Sequence, residues 1–176
     1  IISFLNERYQ RLGLNGQHSE WEKIEAGVPQ GSTLSPLLFL TYFNDLSDHL
    51  ESDVKLFADD TSIFSIVHDN DLSTRVLNSD LMKIQDWAYQ WKMSFNPDIS
   101  KQAQEVIFSR KNIKPYHPTL HFNQSEVNRS GSQKHLGVIL DKKLNFYHHL
   151  KVAIDKTTKG ISMLHKFRYY IPRKSL

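Results

Sequence analysis

Two short runs of apolar and β-branched residues, interrupted by a pair of adjacent aspartates, restrict what the middle of this chain can form. Residues 54–67 read VKLFADDTSIFSIV. Runs of these residue types favour strands, so the pattern predicts an antiparallel hairpin that turns at residues 58–61. Phe57 and Ile63 flank the turn, and we expect them to leave little water around the two carboxylates.

The adjacent carboxylates of Asp59 and Asp60 need a physical reason, because like charges a few ångströms apart repel. A divalent cation converts that repulsion into coordination. Oxygen ligands in a chain without cysteine favour Mg²⁺ or Mn²⁺ over zinc. Such a site suits phosphoryl transfer, in which two ions hold the attacking and leaving oxygens. An ordinary turn remains the alternative, since aspartate is common in turns.

The apolar spacing predicts four helices around this hairpin. Residues 1–12 have helical spacing and end in the turn-forming sequence GLNG. A Gly/Pro loop at residue 27 leads into a second helix, with Ser35 as its N-cap and Pro36 at its first position. Residues 73–93 form the clearest helix, and Trp87 and Trp91, four residues apart, are interpreted as core. A basic helix begins at Phe146. Its predicted buried side consists of Leu150, Ala153, Ile154, Ile161 and Leu164.

Further strands are predicted on both sides of the acidic pair. They lie at residues 20–27 (EWEKIEAG), 104–110 (QEVIFSR) and 134–140 (KHLGVIL), and residues 120–128 (LHFNQSEVN) are expected to pair as a small hairpin. The strand pattern stops between Asp141 and Phe146, so a domain boundary is expected there.

Charge is distributed unevenly along the 176 residues. Residues 1–100 hold 7 Lys and Arg against 15 Asp and Glu, whereas residues 101–176 hold 15 against 4. A basic half joined to an acidic half indicates a polyanion-binding surface attached to a part that keeps carboxylates for another purpose. A solvated basic face without a partner is the alternative.

The composition bears on the compartment in which the chain is found and on whether it enters a membrane. The absence of cysteine excludes a disulfide framework and favours an intracellular protein. No apolar run approaches the roughly 18 residues of a membrane span, so no membrane partner is expected. The first residue is Ile1, within an apolar pattern, and we interpret the chain as a piece of something longer.

Four stretches of the chain, taken in order, form a recognisable set: GVPQGSTLSPLLFLTYFNDL from Gly27, FADD from Phe57, WKMSFNPDISKQAQEVIFSR from Trp91 and KHLGVILD from Lys134. Together they resemble the reverse transcriptase of non-LTR retrotransposons, particularly the jockey-like branch. The resemblance covers essentially the whole chain. It implies an RNA-directed DNA polymerase that uses Mg²⁺ or Mn²⁺, an RNA template, a DNA primer and deoxynucleoside triphosphates.

The resemblance also assigns roles to individual positions. Asp59 would be a direct ligand of both catalytic ions and Asp60 a weaker, supporting ligand. Lys101 stands where a lysine would protonate the leaving pyrophosphate, although NPDISK is longer than the usual family spacing. The remaining assignments are a loop along the nucleotide and template base (Gly27, Pro29, Gln30, Gly31 and Ser32) and the turn that grips the primer end (Leu136 and Gly137).

The resemblance implies an α/β fold of the α+β palm type, with a small antiparallel sheet and packed helices. Residues 1–143 would form part of the palm, and residues 144–176 the start of a helical thumb. Polymerases of this type need a third carboxylate on a strand before the Gly27 loop. The acids that precede Gly27 lack such a setting, so we expect that strand and the fingers in an upstream segment of the same polypeptide.

Two functions follow from this reading. The first is a fragment of an RNA-directed DNA polymerase with two-metal nucleotidyl transfer in the intact parent, which by itself is inactive. The second is a catalytically inactive remnant that still binds nucleic acid through its basic half. An upstream segment with an aspartate-bearing strand would favour the enzyme.

Overall fold

The computed structural model describes residues 1–96, 98, 103–111 and 116–167. The chain divides into two compact units, residues 1–66 and 67–176. Both units combine helices with short, mostly antiparallel strand pairs, which confirms the mixed α/β class. The predicted boundary between Asp141 and Phe146 lies within the second unit and stays a prediction.

The first unit carries two helices, a 3₁₀ turn and three antiparallel strand pairs. Its elements are α1 (Ile2–Leu5), β1 (Arg8–Gln10), β2 (Gly13–Leu14), β3 (Gln17–His18), β4 (Glu22–Ile24), α2 (Ser35–Phe43), the 3₁₀ turn (Asn44–Ser47), β5 (Asp53–Phe57) and β6 (Asp60–Phe64). The strands pair as β1 with β4, β2 with β3, and β5 with β6. The predicted strand at residues 20–27 is present as the shorter β4.

The prediction of a helix over residues 1–12 is wrong. The helix ends at Leu5, and the chain continues into β1 and the β2–β3 hairpin. The central turn residues Asn15 and Gly16 both have positive φ, 49° and 78°. A two-residue type I′ hairpin turn requires this conformation, and Asn-Gly adopts it readily. The hairpin therefore overrides the helical spacing of the apolar residues.

Helix α2 and the 3₁₀ turn that follows it supply the buried residues of the first unit. Phe43 and Leu46 are buried, and the rings of Phe39 and Phe43 stack with centroids 5.5 Å apart. Ser35 is the first helical residue and Leu34 the N-cap, so the predicted cap is displaced by one position. Pro36 still lies in the first turn, where its missing N–H costs no helical hydrogen bond.

The second unit contains two long helices and three strand pairs in its described part. Its elements are α3 (Asn70–Gln90), β7 (Gln104–Glu105), β8 (His121–Phe122), β9 (Ser125–Glu126), β10 (Asn128–Arg129), β11 (Ser132–His135), β12 (Val138–Asp141) and α4 (Tyr147–Phe167). The pairs β8–β9 and β11–β12 are antiparallel hairpins, and β10 pairs with β7 in parallel. The hairpin expected at residues 120–128 is confirmed.

Helix α3 builds the core of the second unit. It begins at the N-cap Asp69, whose side chain accepts a hydrogen bond from the backbone N–H of Leu72 at 2.7 Å. Its apolar face buries Leu81, Ile84 and Ala88. The unit also buries Phe122 of β8. The rings of Phe95 and Phe122 meet edge to face, with their centroids 4.7 Å apart. The tryptophans interpreted as core are only partly so: Trp87 is half-buried and Trp91 is exposed.

Helix α4 is confirmed as a helix, but its predicted buried side is wrong. No side chain in the helix is buried, and Leu150, Ile154, Ile161 and Leu164 are each more than half exposed. The helix packs against β12 at its N-terminal end, where His149 Nδ1 accepts a hydrogen bond from the backbone N–H of Ile139 at 3.4 Å. The apolar spacing identified which face is hydrophobic, not whether that face has a neighbour. Within the described ranges, no helix is both long enough and apolar enough to span a membrane.

Candidate active site

The acidic pair lies at the end of the predicted hairpin, formed by β5 and β6. The register pairs Val54 with Ile63 and ends with Phe57 opposite Asp60. Ala58 and Asp59 are therefore the two residues of the turn, and Asp60 is the first residue of β6. We call Asp59 and Asp60 the acidic pair. The hairpin is confirmed, although its turn is shorter than the predicted four residues.

The expectation that little water surrounds the acidic pair is wrong. Asp59 and Asp60 are exposed, and Phe57 is 62% exposed. The alternation along β5 explains this, because Val54 and Leu56 are half-buried whereas Lys55 and Phe57 are on the exposed face. Asp59 lies in the turn and Asp60 at the first position of β6, and both exposed carboxylates are accessible to ions and ligands from solution.

The backbone at the turn is in an uncommon conformation. Ala58 has a φ of 53°, in the left-handed region that residues with a Cβ rarely occupy. Such a residue costs of order 1 kcal/mol or more and persists where the surrounding structure determines it. Here the five paired positions of β5 and β6 hold the turn closed. The position of Asp59 is thus set by the ladder.

The donor set of the acidic pair suits a hard divalent cation but does not complete its shell. Carboxylate oxygens are ligands that Mg²⁺ accepts, and Mg²⁺ commonly keeps several waters and takes oxygens from a bound phosphate. Across the residues the structure describes, no group of three or more His, Cys, Asp or Glu is placed to hold a metal ion. The two carboxylates alone would therefore supply only part of the shell of such an ion.

The second predicted site element is residues 27–32, which we call the GVPQGS loop. Gly27 and Gly31 have φ values of 78° and 83°, which residues with a side chain rarely adopt. A Cβ built on either glycine meets no described atom within 4 Å. Backbone conformation, and not crowding, therefore explains why glycine occupies these two positions, and the space beside them is open. Gln30 and Gly31 are exposed.

Serine hydroxyls hold the end of the GVPQGS loop against α2. Ser32 Oγ accepts hydrogen bonds from the backbone N–H groups of Leu34 and Ser35, both at 3.2 Å. The buried Ser35 donates its hydroxyl hydrogen to the carbonyl oxygen of Pro29 and also contacts Ser32 Oγ at 3.0 Å. Ser35 was predicted only as a cap, because a hydrogen bond across six residues leaves no periodic signal in the sequence.

The remaining predicted residues fall elsewhere. Lys101 lies outside the described residues. Leu136 and Gly137 are the two central residues of the turn between β11 and β12, with φ values of 46° and 88°. Both values are positive, as a type I′ turn requires. The segment predicted as one strand is thus a hairpin. The GVPQGS loop and the acidic pair belong to the first unit, and this turn belongs to the second.

Asp141, the last residue of β12, holds the connection between β12 and α4, a role that the sequence pattern did not predict. Its carboxylate accepts hydrogen bonds from the backbone N–H groups of Lys143, Asn145 and Phe146, at 3.0, 3.1 and 2.8 Å. Leu144 and Phe146 have positive φ in this connection, 53° and 59°. Partial loss of hydration acts to raise the pKa of Asp141. The backbone hydrogen bonds outweigh it, so the pKa lies below its ordinary value of 3.8.

Acid should loosen this connection. Because the folded pKa of Asp141 is lowered, its stabilising contribution is fully present above the unfolded pKa of about 4 and is lost as the pH falls through the folded value. Asp141→Asn, with one acceptor oxygen, should lower the unfolding midpoint in urea at pH 7 and reduce its dependence on pH below about pH 4. The exposed Asp155 of α4 supplies the control Asp155→Asn. Equal pH profiles for wild type and Asp141→Asn would contradict this account.

Comparison with known proteins identifies relatives over most of the chain. The family described as Reverse transcriptase (RNA-dependent DNA polymerase) matches residues 1–157. The RNA-directed DNA polymerase from mobile element jockey of Drosophila melanogaster is 31% identical over 158 residues, which cover 85% of this chain and 17% of that protein. The protein of the same description from Drosophila funebris is 30% identical over 181 residues, covering 98% and 18%.

These relatives are much longer than the chain. It spans less than a fifth of either jockey polymerase. No solved structure gives a significant match.

Proposed function

This chain belongs to the reverse transcriptase family, and on that basis we propose that it forms the metal-binding part of the palm of an RNA-directed DNA polymerase. Its curated relatives are the polymerases of jockey-like mobile elements. The observation that carries the proposal is the exposed acidic pair at the end of a five-residue hairpin ladder. The ladder gives the carboxylates a defined position, and their exposure leaves room for a metal ion, a primer end and a nucleotide.

Within the proposed site, Asp59 would hold both catalytic ions and Asp60 would support one of them. Bound Mg²⁺ or Mn²⁺ would lower the energy of negative charge developing on the phosphoryl oxygens during transfer. The chain's own contribution would be to hold the metal ions in position with a pair of carboxylates that the hairpin fixes. The incomplete donor set is consistent with a third carboxylate supplied by another segment of the polymerase.

The GVPQGS loop is proposed to lie against the incoming deoxynucleoside triphosphate and its template base. Two glycines in the left-handed region leave open space beside the backbone, so a flat base or a phosphate can approach closely. The side-chain amide of the exposed Gln30 can both donate and accept hydrogen bonds. The Leu136–Gly137 turn and α4 are proposed to contact the primer end and the duplex, as primer grip and start of the thumb. Lys101 keeps its proposed role as proton donor.

A chimera provides the test. The jockey polymerase segment that aligns with this chain is replaced by this chain, and the product is assayed for primer extension on an RNA template with Mg²⁺. We expect extension that depends on template and metal. A chimera that unfolds cooperatively, binds an RNA–DNA duplex and yet adds no nucleotide would favour the alternative, an inactive nucleic-acid-binding remnant.

The loop proposal makes its own prediction. Gln30→Ala in the chimera should lower kcat/KM for the nucleotide by roughly tenfold or more, about 1.4 kcal/mol, because the amide group contacts the nucleotide or its template base. The measurement is single-nucleotide addition over a range of nucleotide concentrations. Gln17→Ala, in the β2–β3 hairpin of the same unit, is the control. A Gln30→Ala chimera with unchanged kcat/KM would leave the loop with a scaffolding role alone.

A further inference from the structure

We propose that Arg8 is a positioning residue for the GVPQGS loop. Three backbone carbonyl oxygens from two separate segments accept hydrogen bonds from its guanidinium. Nε donates to Leu5 at 3.0 Å, and Nη2 donates to Gly27 at 2.6 Å and to Ala26 at 3.3 Å. One side chain therefore ties the end of α1 to the first residue of the loop. The expected effect on nucleotide binding rests on the proposed function, whereas the effect on loop order does not.

Strand pairing explains how Arg8 reaches the loop. Arg8 of β1 is opposite Ile24, the last residue of β4. Residues 25–34 then form neither helix nor strand, so no ladder holds the backbone as it leaves the sheet. Beyond the end of β4 the Arg8 guanidinium holds the backbone instead, through hydrogen bonds to the carbonyl oxygens of Ala26 and Gly27. It holds them where Gly27 turns the chain with its positive φ.

The loop is thus held at Gly27 and at Pro29, and the two residues that follow Pro29 are exposed. Arg8 binds the carbonyl of Gly27, and Ser35 binds the carbonyl of Pro29. Between these contacts and α2, Gln30 and Gly31 are exposed. Both contacts use backbone carbonyls, so they restrict the loop without occupying the side chains proposed to meet the nucleotide. The conformational entropy of ordering the loop is therefore lost during folding rather than at each binding event, which favours nucleotide affinity.

Arginine suits this position better than lysine. Its planar group presents five N–H donors in a rigid fork, so it can serve acceptors in different directions without reorganisation. A lysine ammonium has three donors at the end of a flexible chain. Arg8→Lys keeps the charge and much of the length but should release at least one carbonyl. This variant separates the geometry of the hydrogen bonds from the charge.

The first experiment uses the 176-residue chain and does not depend on polymerase activity. Backbone hydrogen exchange is measured for residues 27–35 in wild type, Arg8→Lys and Arg8→Ala. We expect faster exchange at Leu34 and Ser35 in both variants, since their N–H groups bind Ser32 within the loop. Exchange in β5 and β6 should be unchanged, which shows that the unit remains folded. Arg11→Lys is the matched control: it makes the same substitution in the same unit, at an arginine whose guanidinium lies over the Trp21 ring, 4.7 Å from the ring centroid.

The second experiment measures nucleotide addition by the chimera. Arg8→Lys should raise KM for the nucleotide by roughly tenfold or more with a smaller change in kcat, because displacement of a positioning element can cost up to about a hundredfold. Unchanged loop exchange in both Arg8 variants would overturn the inference, whatever the chimera does. Faster loop exchange with an unchanged KM in an active chimera would overturn the positioning role. An inactive wild-type chimera would count against the proposed function, and the exchange data would still decide whether Arg8 orders the loop.

Discussion

Replacing Asp59 with asparagine in the chimera is expected to reduce primer extension by about 10³-fold or more. The substitution removes one negative charge from the turn of the β5–β6 hairpin and, on the proposed function, one strong metal ligand. Metal stabilisation of developing charge is worth several kcal/mol, and about 4 kcal/mol corresponds to a factor of 10³. Asp60→Asn should cost less, roughly tenfold to a hundredfold, as a supporting ligand. The measurement is the rate of single-nucleotide addition at saturating nucleotide.

The same hairpin supplies a matched control. Asp53 is the first residue of β5, is exposed, and pairs with Phe64 at the far end of the ladder from the acidic pair. Asp53→Asn makes the same chemical change on the same element, and extension should stay within about twofold of wild type, since surface changes are usually worth under 0.5 kcal/mol. Equal losses in Asp53→Asn and Asp59→Asn would indicate a general charge effect and contradict metal ligation by Asp59.

Binding of the 176-residue chain to an RNA–DNA duplex is expected to weaken steeply with salt. Residues 101–176 hold 15 Lys and Arg against 4 Asp and Glu, and contacts with phosphates release counterions. If about five phosphates are neutralised, raising the salt from about 50 to about 300 mM should weaken binding by about 3 × 10³-fold. Fluorescence anisotropy over a salt series measures the slope of log Kd against log salt.

Helix α4 provides the variant for this measurement. Lys151, Lys156 and Lys159 are exposed, and replacing all three with glutamine should flatten the slope by up to about 2.7, or 0.9 for each lost phosphate contact. Lys23→Gln and Lys55→Gln together, in the acidic first unit, are the control and should leave the slope nearly unchanged. Affinity that does not respond to salt would show that the basic half does not act as a phosphate-binding surface.

The β5–β6 hairpin could be predicted because its signal is local. Two runs of strand-forming residues flank a short polar interruption, and antiparallel pairing follows. The exact turn could not be read in the same way. With Ala58 in the left-handed region the turn takes only two residues, so Asp60 pairs in the ladder. Residue propensity disfavours that backbone conformation at alanine. The exposure of the acidic pair likewise depends on what packs around the end of the hairpin, which the sequence does not encode locally.

The N-terminal error has an identifiable cause. The apolar spacing of residues 1–12 suggested a helix, but Asn15-Gly16 is a strong hairpin signal between residues that pair as β2 and β3. Weighing that dipeptide above the spacing would have predicted the hairpin. For α4 the spacing predicted the helix correctly. Whether its apolar face is covered depends on neighbours, and helical periodicity carries no information about them.

The contacts that hold the candidate site were beyond local reasoning. The Arg8 guanidinium reaches residues 18 and 19 positions away, and Ser35 reaches Pro29 across six. Such contacts arise from the register of β1 with β4 and from the entry into α2. Neither leaves a periodic trace. Sequence motifs could therefore nominate the GVPQGS loop and the acidic pair, whereas the residues that support the loop required the structure.

The central claim is that the acidic pair binds a divalent cation, and Mn²⁺ broadening of amide NMR signals in the 176-residue chain tests it most directly. Two carboxylates would supply only part of a metal shell, so binding should be weak, on the order of millimolar. We predict broadening centred on Asp59 and Asp60 that saturates with Mn²⁺, is competed by Mg²⁺, and disappears in Asp59→Asn but persists in Asp53→Asn. Broadening spread over many surface carboxylates, or a pattern unchanged in Asp59→Asn, would contradict the account.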